Sequence, residues 1–316
     1  MSNPEFGMTS GELQASHCFA FLVSNQNSDG GWGFHPTSPS AVEATAWALM
    51  ALTLAGGAPQ QRSRARGWLL ESQLPEGSWP AFPGQAQGCW VTSLACHALY
   101  LQGDSHDAVK RGLYWLLNEW PAEGAWWWRL RHWLFHSRVA QQDSSLCGWN
   151  WTPGTASWVE PTAHALLFLR SLSPDWAFSK LTKRQRLAER MLYDRMCPGG
   201  GWNSGNPLIY GVPGVPRIGP TAWALLALKD HPERAEVQTS VKWLERAYPE
   251  IHGAATRALA NHCLAALGRT VPPLSLALGE LCSPNVSSAN TLTIAWILLA
   301  LNGEGKGEAP AETTKQ

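Results

Sequence analysis

Two glutamates occupy matching positions in the sequence and are the first candidates for chemistry. Glu43 and Glu160 each stand two residues before a Thr-Ala pair, at the beginning of an Ala/Leu-rich segment. An apolar environment raises the pKa of a carboxyl and keeps it protonated, so that it can act as a donor. The alternative role is local, because an acidic group in the first helical turn contributes about 0.3–1 kcal/mol through the helix dipole.

A ring of aromatic side chains is the second candidate. When six Ala/Leu-rich segments are aligned, three tryptophans and three histidines fall one turn after the glutamate position: Trp47, His97, His164, Trp223, His262 and Trp296. If they face a common axis, they line a cavity whose aromatic faces stabilise a cation by about 0.5–2 kcal/mol each. The imidazoles are then candidate bases. In the alternative, the rings pack between helices and each histidine bonds a backbone carbonyl.

A metal site is a weaker hypothesis. Cys96-His97 and His262-Cys263 fall at matching heights of their segments, which suggests zinc ligation. Adjacent residues on a helix point about 100° apart, however, so each pair supplies one ligand at most. We therefore expect no cofactor, with zinc or magnesium as the alternative.

A long insertion runs from Asn118 to Ser157 and mixes tryptophans with arginines in the segment 126–138. This composition fits a lid whose arginines bind a diphosphate, a packed cap, or a peripheral membrane contact, and we favour a lid or cap. The loop 198–219 is expected to cover the same end. The candidate substrate-binding residues of these regions are Trp127, Arg129, Arg131, Trp158, Tyr210 and Arg217.

A repeated turn positions these candidates. Gln, three residues, Gly, one residue and Trp recur at Gln26–Trp32 and Gln73–Trp79, with degraded copies ending at Trp149 and Trp202. Glycine permits a sharp bend, the glutamine amide can satisfy groups at a helix end, and the indole covers the corner. We therefore predict that these four tryptophans are structural.

The turns separate two kinds of helix. Six polar-faced segments alternate with the six apolar ones and lie near 11–24, 60–73, 106–118, 180–196, 234–247 and 272–282. Two concentric rings with the apolar helices inside give an all-α (α/α)6 toroid, one domain over residues 8–304. An open α-solenoid has the same local pattern. Residues 1–7 are expected to be a cloning remnant and residues 305–316 a flexible tail.

Composition excludes several function classes. The 24 basic and 24 acidic residues give no net charge, so we expect no nucleic-acid partner. The seven cysteines form no Cys-x-x-Cys pair, which is typical of reduced thiols in the cytoplasm. No apolar run reaches the 18 or so residues of a membrane span.

The Gln-x3-Gly-x-Trp turns after amphipathic helices resemble the repeats of squalene-hopene and oxidosqualene cyclases, whose toroid is shared by protein prenyltransferase β-subunits. In class II terpene cyclases an Asp-x-Asp-Asp-Thr-Ala motif opens an inner helix, and its middle aspartate protonates an alkene or epoxide. Glu43 and Glu160 fall on the position of that acid. Ala41 and Ala44 replace the flanking aspartates around Glu43, so the motif is not intact.

The resemblance implies three hypotheses. The first is a terpene-cyclase-like enzyme that cyclises or isomerises a linear isoprenoid by acid-initiated carbocation chemistry. The second is prenyl transfer or another diphosphate-dependent reaction. The third is a non-catalytic toroid that binds a lipid or a peptide.

Overall fold

Two concentric sets of helices build the protein. The computed structural model describes residues 9–103, 106–124, 142–143, 145–176, 179–270, 274 and 290–304. The inner helices are α2 (Val42–Ala55), α4 (Val91–Gln102), α6 (Val159–Ser171), α8 (Ile218–Ala227), α10 (Ala254–Ala266) and α11 (Thr291–Glu304). The outer helices are α1 (Ser10–Ser24), α3 (Pro59–Glu71), α5 (His106–Asn118), α7 (Ser179–Asp194) and α9 (Ala235–Ala247).

Short elements connect the helices. Three 3₁₀ turns span Ala122–Gly124, Pro174–Trp176 and Tyr248–Glu250. A two-stranded antiparallel hairpin, β1 (Leu208–Ile209) and β2 (Val212–Pro213), precedes α8 and pairs Ile209 with Val212. The outer helix expected at 272–282 lies outside the described residues, apart from position 274.

The inner helices form a closed ring. Each one packs against the next along the chain, and α11 returns to pack against α2. Thr291 closes the ring, because its backbone N–H donates to the Phe34 carbonyl at 2.8 Å and its hydroxyl to the Gly33 carbonyl at 2.7 Å. The toroid prediction is therefore confirmed, and the open solenoid is wrong.

Burial explains the division into two layers. Ten of the fourteen residues of α2 are buried, which is expected for an apolar helix enclosed on all sides. The outer helix α5 instead buries one stripe, which includes Val109, Leu113 and Leu117. Among the helices that the structure describes, none has the length and hydropathy to cross a bilayer.

Tryptophan fixes four of the corners between an outer helix and the next inner helix. The four corner indoles donate through Nε1 to an outer-helix carbonyl at 2.6–2.9 Å, in the pairs Trp32–Leu22, Trp79–Leu69, Trp149–Leu116 and Trp202–Leu192. Their backbone N–H groups donate to the hydroxyls of Thr45, Thr92, Thr162 and Thr221 at 2.8–2.9 Å. All four indoles are buried, as their predicted structural role requires.

The glutamine of the turn joins neighbouring corners. Gln26 donates through Nε2 to the Gly30 carbonyl of its own turn and to the Gln61 carbonyl of α3, both at 2.8 Å. The amide therefore links its own turn to the first turn of the next outer helix and does not bond the end of its own helix. Gly30 has a φ of 99°, and a Cβ there would lie 2.9 Å from the Arg64 carbonyl oxygen. Both facts favour glycine at this position.

Candidate active site at the rim of the toroid

The two predicted glutamates lie at the same end of the ring. Glu43 is in the first turn of α2 and Glu160 in the first turn of α6, with only α4 between these parallel helices. The N-cap residues Ala41 and Trp158 make no side-chain cap hydrogen bond, and each glutamate lies in the first turn of its helix. Both residues are half-buried, and within the described residues neither carboxyl has a hydrogen-bond or ion-pair partner. Two unpaired carboxyls in a partly dry site need a role.

The two carboxyls have different electrostatic environments. Burial, together with the negative charge of Glu160, raises the pKa of Glu43 to about 7. Burial also raises the pKa of Glu160, but the positive charge of Arg217 opposes that shift. With a pKa of about 7, Glu43 is partly protonated at neutral pH, whereas the charge of Arg217 favours the ionised form of Glu160.

Arg217 and the first turn of α8 form the neighbouring wall. The Arg217 backbone N–H donates to the Trp202 carbonyl at 2.8 Å, which places this residue at the N-cap of α8. A Cβ on Gly219 would lie 3.5 Å from Glu160 Oε1, so the carboxyl reaches the first turn of α8. The positive end of that helix also favours the ionised form of Glu160.

Four rings meet on the axis one turn below the carboxyls. The ring centroids of Trp47 and Trp223 are 5.3 Å apart and stacked, although α2 and α8 are opposite helices of the ring. Trp296 lies 5.9 Å from Trp47 and 5.6 Å from Trp223, and His164 lies 4.4 Å from Trp223. These rings, which we call the axial cluster, fill the space that the sequence suggested was open. They form a floor below the glutamates.

Two buried donors of the axial cluster are unpaired. Within the described part of the chain, Nε1 of Trp47 and Nε1 of Trp296 have no hydrogen-bond acceptor. A buried polar atom without a partner is uncommon and indicates a water or a ligand atom. The floor is therefore aromatic, but it offers two N–H groups to an oxygen.

His97 lies deeper than the sequence alignment placed it. The threonines bonded to the corner tryptophans set the true register, and two residues after them stand Trp47, Leu94, His164 and Trp223. Leu94, not His97, is thus level with the axial cluster. The ring centroids of His97 and Phe168 are 6.2 Å apart, about one helical turn further along the inner helices than the axial cluster.

The three imidazoles are neutral groups in a dry interior. Burial, and then the charge of Lys229, lowers the pKa of His97 to about 4, and the same two causes lower the pKa of His262. Burial, and then the charge of His97, lowers the pKa of His164 to about 3. Lys229 follows α8 at the end of the ring opposite to the glutamates. These imidazoles are weak bases, and only His164 belongs to the axial cluster.

Aromatic residues that the sequence analysis missed complete the wall. Trp90 at the N-cap of α4 lies 4.8 Å from Trp151 and 5.4 Å from His164, measured between ring centroids. Phe34 and Phe82, on the loops before α2 and α4, are 6.2 Å apart. All of these aromatic residues lie on the segments that lead into inner helices. That position in the sequence is the signal that could have identified them.

The remaining candidates are dispersed or outside the described residues. Trp158 is half-buried at the N-cap of α6, in the same rim as Glu160. Tyr210 is 75% exposed at the tip of the β1–β2 hairpin, so its ring faces solvent rather than the carboxyls. Trp127, Arg129 and Arg131 fall outside the part of the chain that the structure describes. Over that part, no group of three or more His, Cys, Asp or Glu side chains could hold a metal.

The comparisons with known proteins identify the class of fold. No protein-family model matches the chain, and no curated protein matches it. A crystal structure of a protein from Actinoplanes is 14% identical, with 94% of this chain and 100% of that chain covered and a TM-score of 0.60. The ent-copalyl diphosphate synthase of Streptomyces platensis is 18% identical over 84% of this chain, with a TM-score of 0.55. This chain spans 50% of that enzyme.

The fold is also similar to that of a carbohydrate enzyme. A family 8 endoglucanase from Klebsiella pneumoniae is 10% identical, with 92% of this chain and 99% of that chain covered and a TM-score of 0.57. The protein thus has a terpenoid-cyclase-like (α/α)6 toroid. The same toroid serves other catalysis, so the fold alone does not decide the reaction.

Proposed function

We propose that the protein is an acid-initiated, terpene-cyclase-like enzyme acting on a linear isoprenoid at the rim of the toroid. The observation that supports this proposal is the placement of two half-buried, electrostatically coupled carboxyls, Glu43 and Glu160, above an aromatic floor. The first carboxyl supplies the proton, and the second, beside Arg217, keeps that proton on its partner. For a carbocation to survive, the bound substrate would have to displace water from this rim, and the apolar walls favour that.

The acid strength of Glu43 selects the kind of bond that can react. A carboxyl whose pKa is about 7 is too weak to protonate an unactivated alkene. An epoxide or ether oxygen is far more basic than an alkene, and its C–O bond breaks as the new O–H bond forms. The two unpaired indole N–H groups of Trp47 and Trp296 also match an oxygen acceptor. We therefore infer an oxygenated isoprenoid, an epoxide in the simplest case.

The aromatic cluster suits the cation that follows. When the C–O bond breaks, positive charge forms on carbon and a neighbouring alkene attacks it. Indole faces stabilise such a charge by about 0.5–2 kcal/mol each, more where the site is dry. Loss of a proton ends the cascade, and the Glu43 carboxylate can accept it. The net reaction is then an isomerisation that regenerates the acid.

A direct assay tests the proposal. We expect an epoxidised linear isoprenoid to be converted, with the product identified by mass spectrometry, and the matching alkene to remain unchanged. Glu43→Gln should lower the rate by about 10²–10⁴-fold, because Gln cannot donate a proton. Glu233→Gln, at an exposed position, is the control and should leave the rate unchanged. Oligosaccharides belong in the panel, since glycosidases also use two carboxyls, and their hydrolysis in place of isoprenoid conversion would contradict the proposal.

The filled axis favours one second candidate, a non-catalytic lipid-binding toroid. Because the axial cluster fills the centre of the ring, a ligand would lie above it, at the rim. If the protein only binds, wild type and Glu43→Gln should bind a linear isoprenoid equally well, and no product should form with any substrate. Prenyl transfer, the remaining hypothesis, depends on Arg129 and Arg131, and it predicts activity only with a diphosphate ester.

A further inference from the structure

The β1–β2 hairpin projects from the rim with an apolar tip. Ile209, Tyr210, Val212 and Val215 are 44%, 75%, 66% and 78% exposed. No charged residue occurs from Asn203 to Pro216. Large apolar side chains with such exposure, close together and without charges between them, mark a surface that contacts another apolar phase.

The hairpin is an addition to an otherwise regular corner. The threonine lies thirteen positions after its corner tryptophan in three copies of the turn, as in Trp32–Thr45. In the fourth copy, Trp202–Thr221, the separation is nineteen residues. The corner bonds are the same in all four copies, so the six extra residues are not needed to connect the helices. They build the hairpin.

Tyr210, at the tip of the hairpin, is unfavourable in the type of turn that it occupies. Tyr210 and Gly211 have φ angles of 51° and 79°, the pattern of a two-residue type I′ turn. Asparagine and glycine adopt positive φ readily, whereas a bulky aromatic residue does so at a cost in folding stability. The tyrosine therefore lowers the stability of the hairpin while presenting its ring to solvent. Folding does not explain it.

The base of the hairpin is held firmly. Asn203 Oδ1 accepts hydrogen bonds from the backbone N–H groups of Gly205 and Asn206 at 3.0 and 2.9 Å. The Gly214 N–H donates to the Pro207 carbonyl at 2.7 Å. These bonds fix the direction in which the tip projects, so the apolar side chains are presented together.

The exposed apolar residues concentrate at one end of the toroid. Of nine large apolar side chains that are exposed in the described part of the chain, six lie at the end where the inner helices begin: Phe82, Trp120, Ile209, Tyr210, Val212 and Val215. This is the end that carries Glu43 and Glu160. The exposed apolar residues and the candidate site thus lie at the same end of the toroid.

We propose that the β1–β2 hairpin inserts into the interfacial layer of a lipid bilayer and orients the rim toward the membrane. A narrow tip of four side chains cannot bury the roughly 800 Å² per partner that a stable protein interface needs. Insertion into lipid needs no matching surface, and tyrosine is enriched at the level of the headgroups. The inference stands on the hairpin alone and does not require the proposed reaction.

Vesicle binding of Tyr210→Asn tests the proposal. Asparagine suits the positive φ, so the melting temperature should be unchanged or higher, while the partition coefficient onto phosphatidylcholine vesicles should fall at least ~5-fold, since apolar burial is lost. Val212→Ser with Val215→Ser should lower it further. Tyr114→Asn is the matched control, because Tyr114 is 70% exposed on the outer wall, and it should bind as the wild type does.

Three outcomes would overturn the proposal. They are vesicle binding unchanged in Tyr210→Asn, an equal loss in Tyr114→Asn, and a dimer in sedimentation that Tyr210→Asn dissociates without vesicles. The last would identify a second copy as the partner. Glu43→Gln separates this inference from the proposed function, since it should bind vesicles normally even if no reaction is ever found.

Discussion

The corner tryptophans and the axial tryptophans differ in one respect. The corner indoles of Trp32, Trp79, Trp149 and Trp202 each donate their N–H to a backbone carbonyl. In the axial cluster, the N–H groups of Trp47 and Trp296 have no acceptor in the described part of the chain. The corner tryptophans thus stabilise the fold with their N–H groups hydrogen-bonded, whereas Trp47 and Trp296 keep an N–H group available where a ligand is expected.

The largest effect on stability is expected at a corner. Trp32→Phe removes the N–H bonded to the Leu22 carbonyl and leaves that oxygen buried without a partner, which costs about 1–3 kcal/mol. The smaller ring also leaves a cavity, so we expect a total loss of about 3 kcal/mol. Urea denaturation measures it. A loss equal to that of Trp47→Phe would abolish the distinction between the two settings.

The corners were predictable from sequence because their pattern is local. The Gln-x3-Gly-x-Trp spacing brings the glutamine and the indole together within seven residues, and the geometry of such a short turn leaves few alternatives. The six polar-faced and six apolar segments likewise indicated the toroid, because an apolar helix must be enclosed on all sides.

The axial cluster was only half predictable. Sequence placed Trp47, His164, Trp223 and Trp296 at one level, but whether rings from opposite helices meet depends on the radius of the ring. His97 was misplaced because the Ala/Leu pattern has no unique register. A better signal was present, since the thirteen-residue spacing from Trp79 to Thr92 fixes α4. The pKa of Glu43 depends on a residue 117 positions away, and no local pattern shows that contact.

Acidification should distinguish the axial cluster from the surface. Because the pKa of His164 is lowered from 6.5 to about 3, the folded protein binds fewer protons than the unfolded chain between these values, and its stability falls as the pH falls. His164→Phe removes the titrating imidazole and therefore its contribution to the pH dependence of stability. Between pH 7 and pH 4.5 we expect the wild type to lose about 2–3 kcal/mol more than the variant, as measured by urea denaturation.

An exposed histidine provides the control for that measurement. His35 lies on the surface before α2, so His35→Phe should follow the wild type across the same pH range. If His164→Phe also follows the wild type, the imidazole is already solvated and the cluster is not dry.

The carboxyl pair should give the opposite pH dependence. The pKa of Glu43 is raised from 4.5 to about 7, so the folded protein holds a proton that the unfolded chain releases in this interval. Stability therefore falls as the pH rises from 4.5 to 7. Glu43→Gln should be more stable than the wild type by about 1–3 kcal/mol at pH 8 and equal to it at pH 4. A variant that is less stable at pH 8 would mean that the carboxylate has a partner.

Trp47→Phe should give the smallest effect on stability and therefore the sharpest test of the axial setting. The change removes an N–H group that has no acceptor. The stability gained by deleting a buried unpaired donor therefore offsets much of the stability lost with the contact area of the indole. We expect a change in unfolding free energy within about 1 kcal/mol. Affinity for an oxygenated isoprenoid, measured by calorimetry, should nevertheless fall about tenfold, since one hydrogen bond to the ligand oxygen is lost. The alkene analogue, which has no oxygen, should bind the variant and the wild type equally. An equal loss for both ligands would assign Trp47 to packing alone and would leave the two kinds of tryptophan without a functional difference.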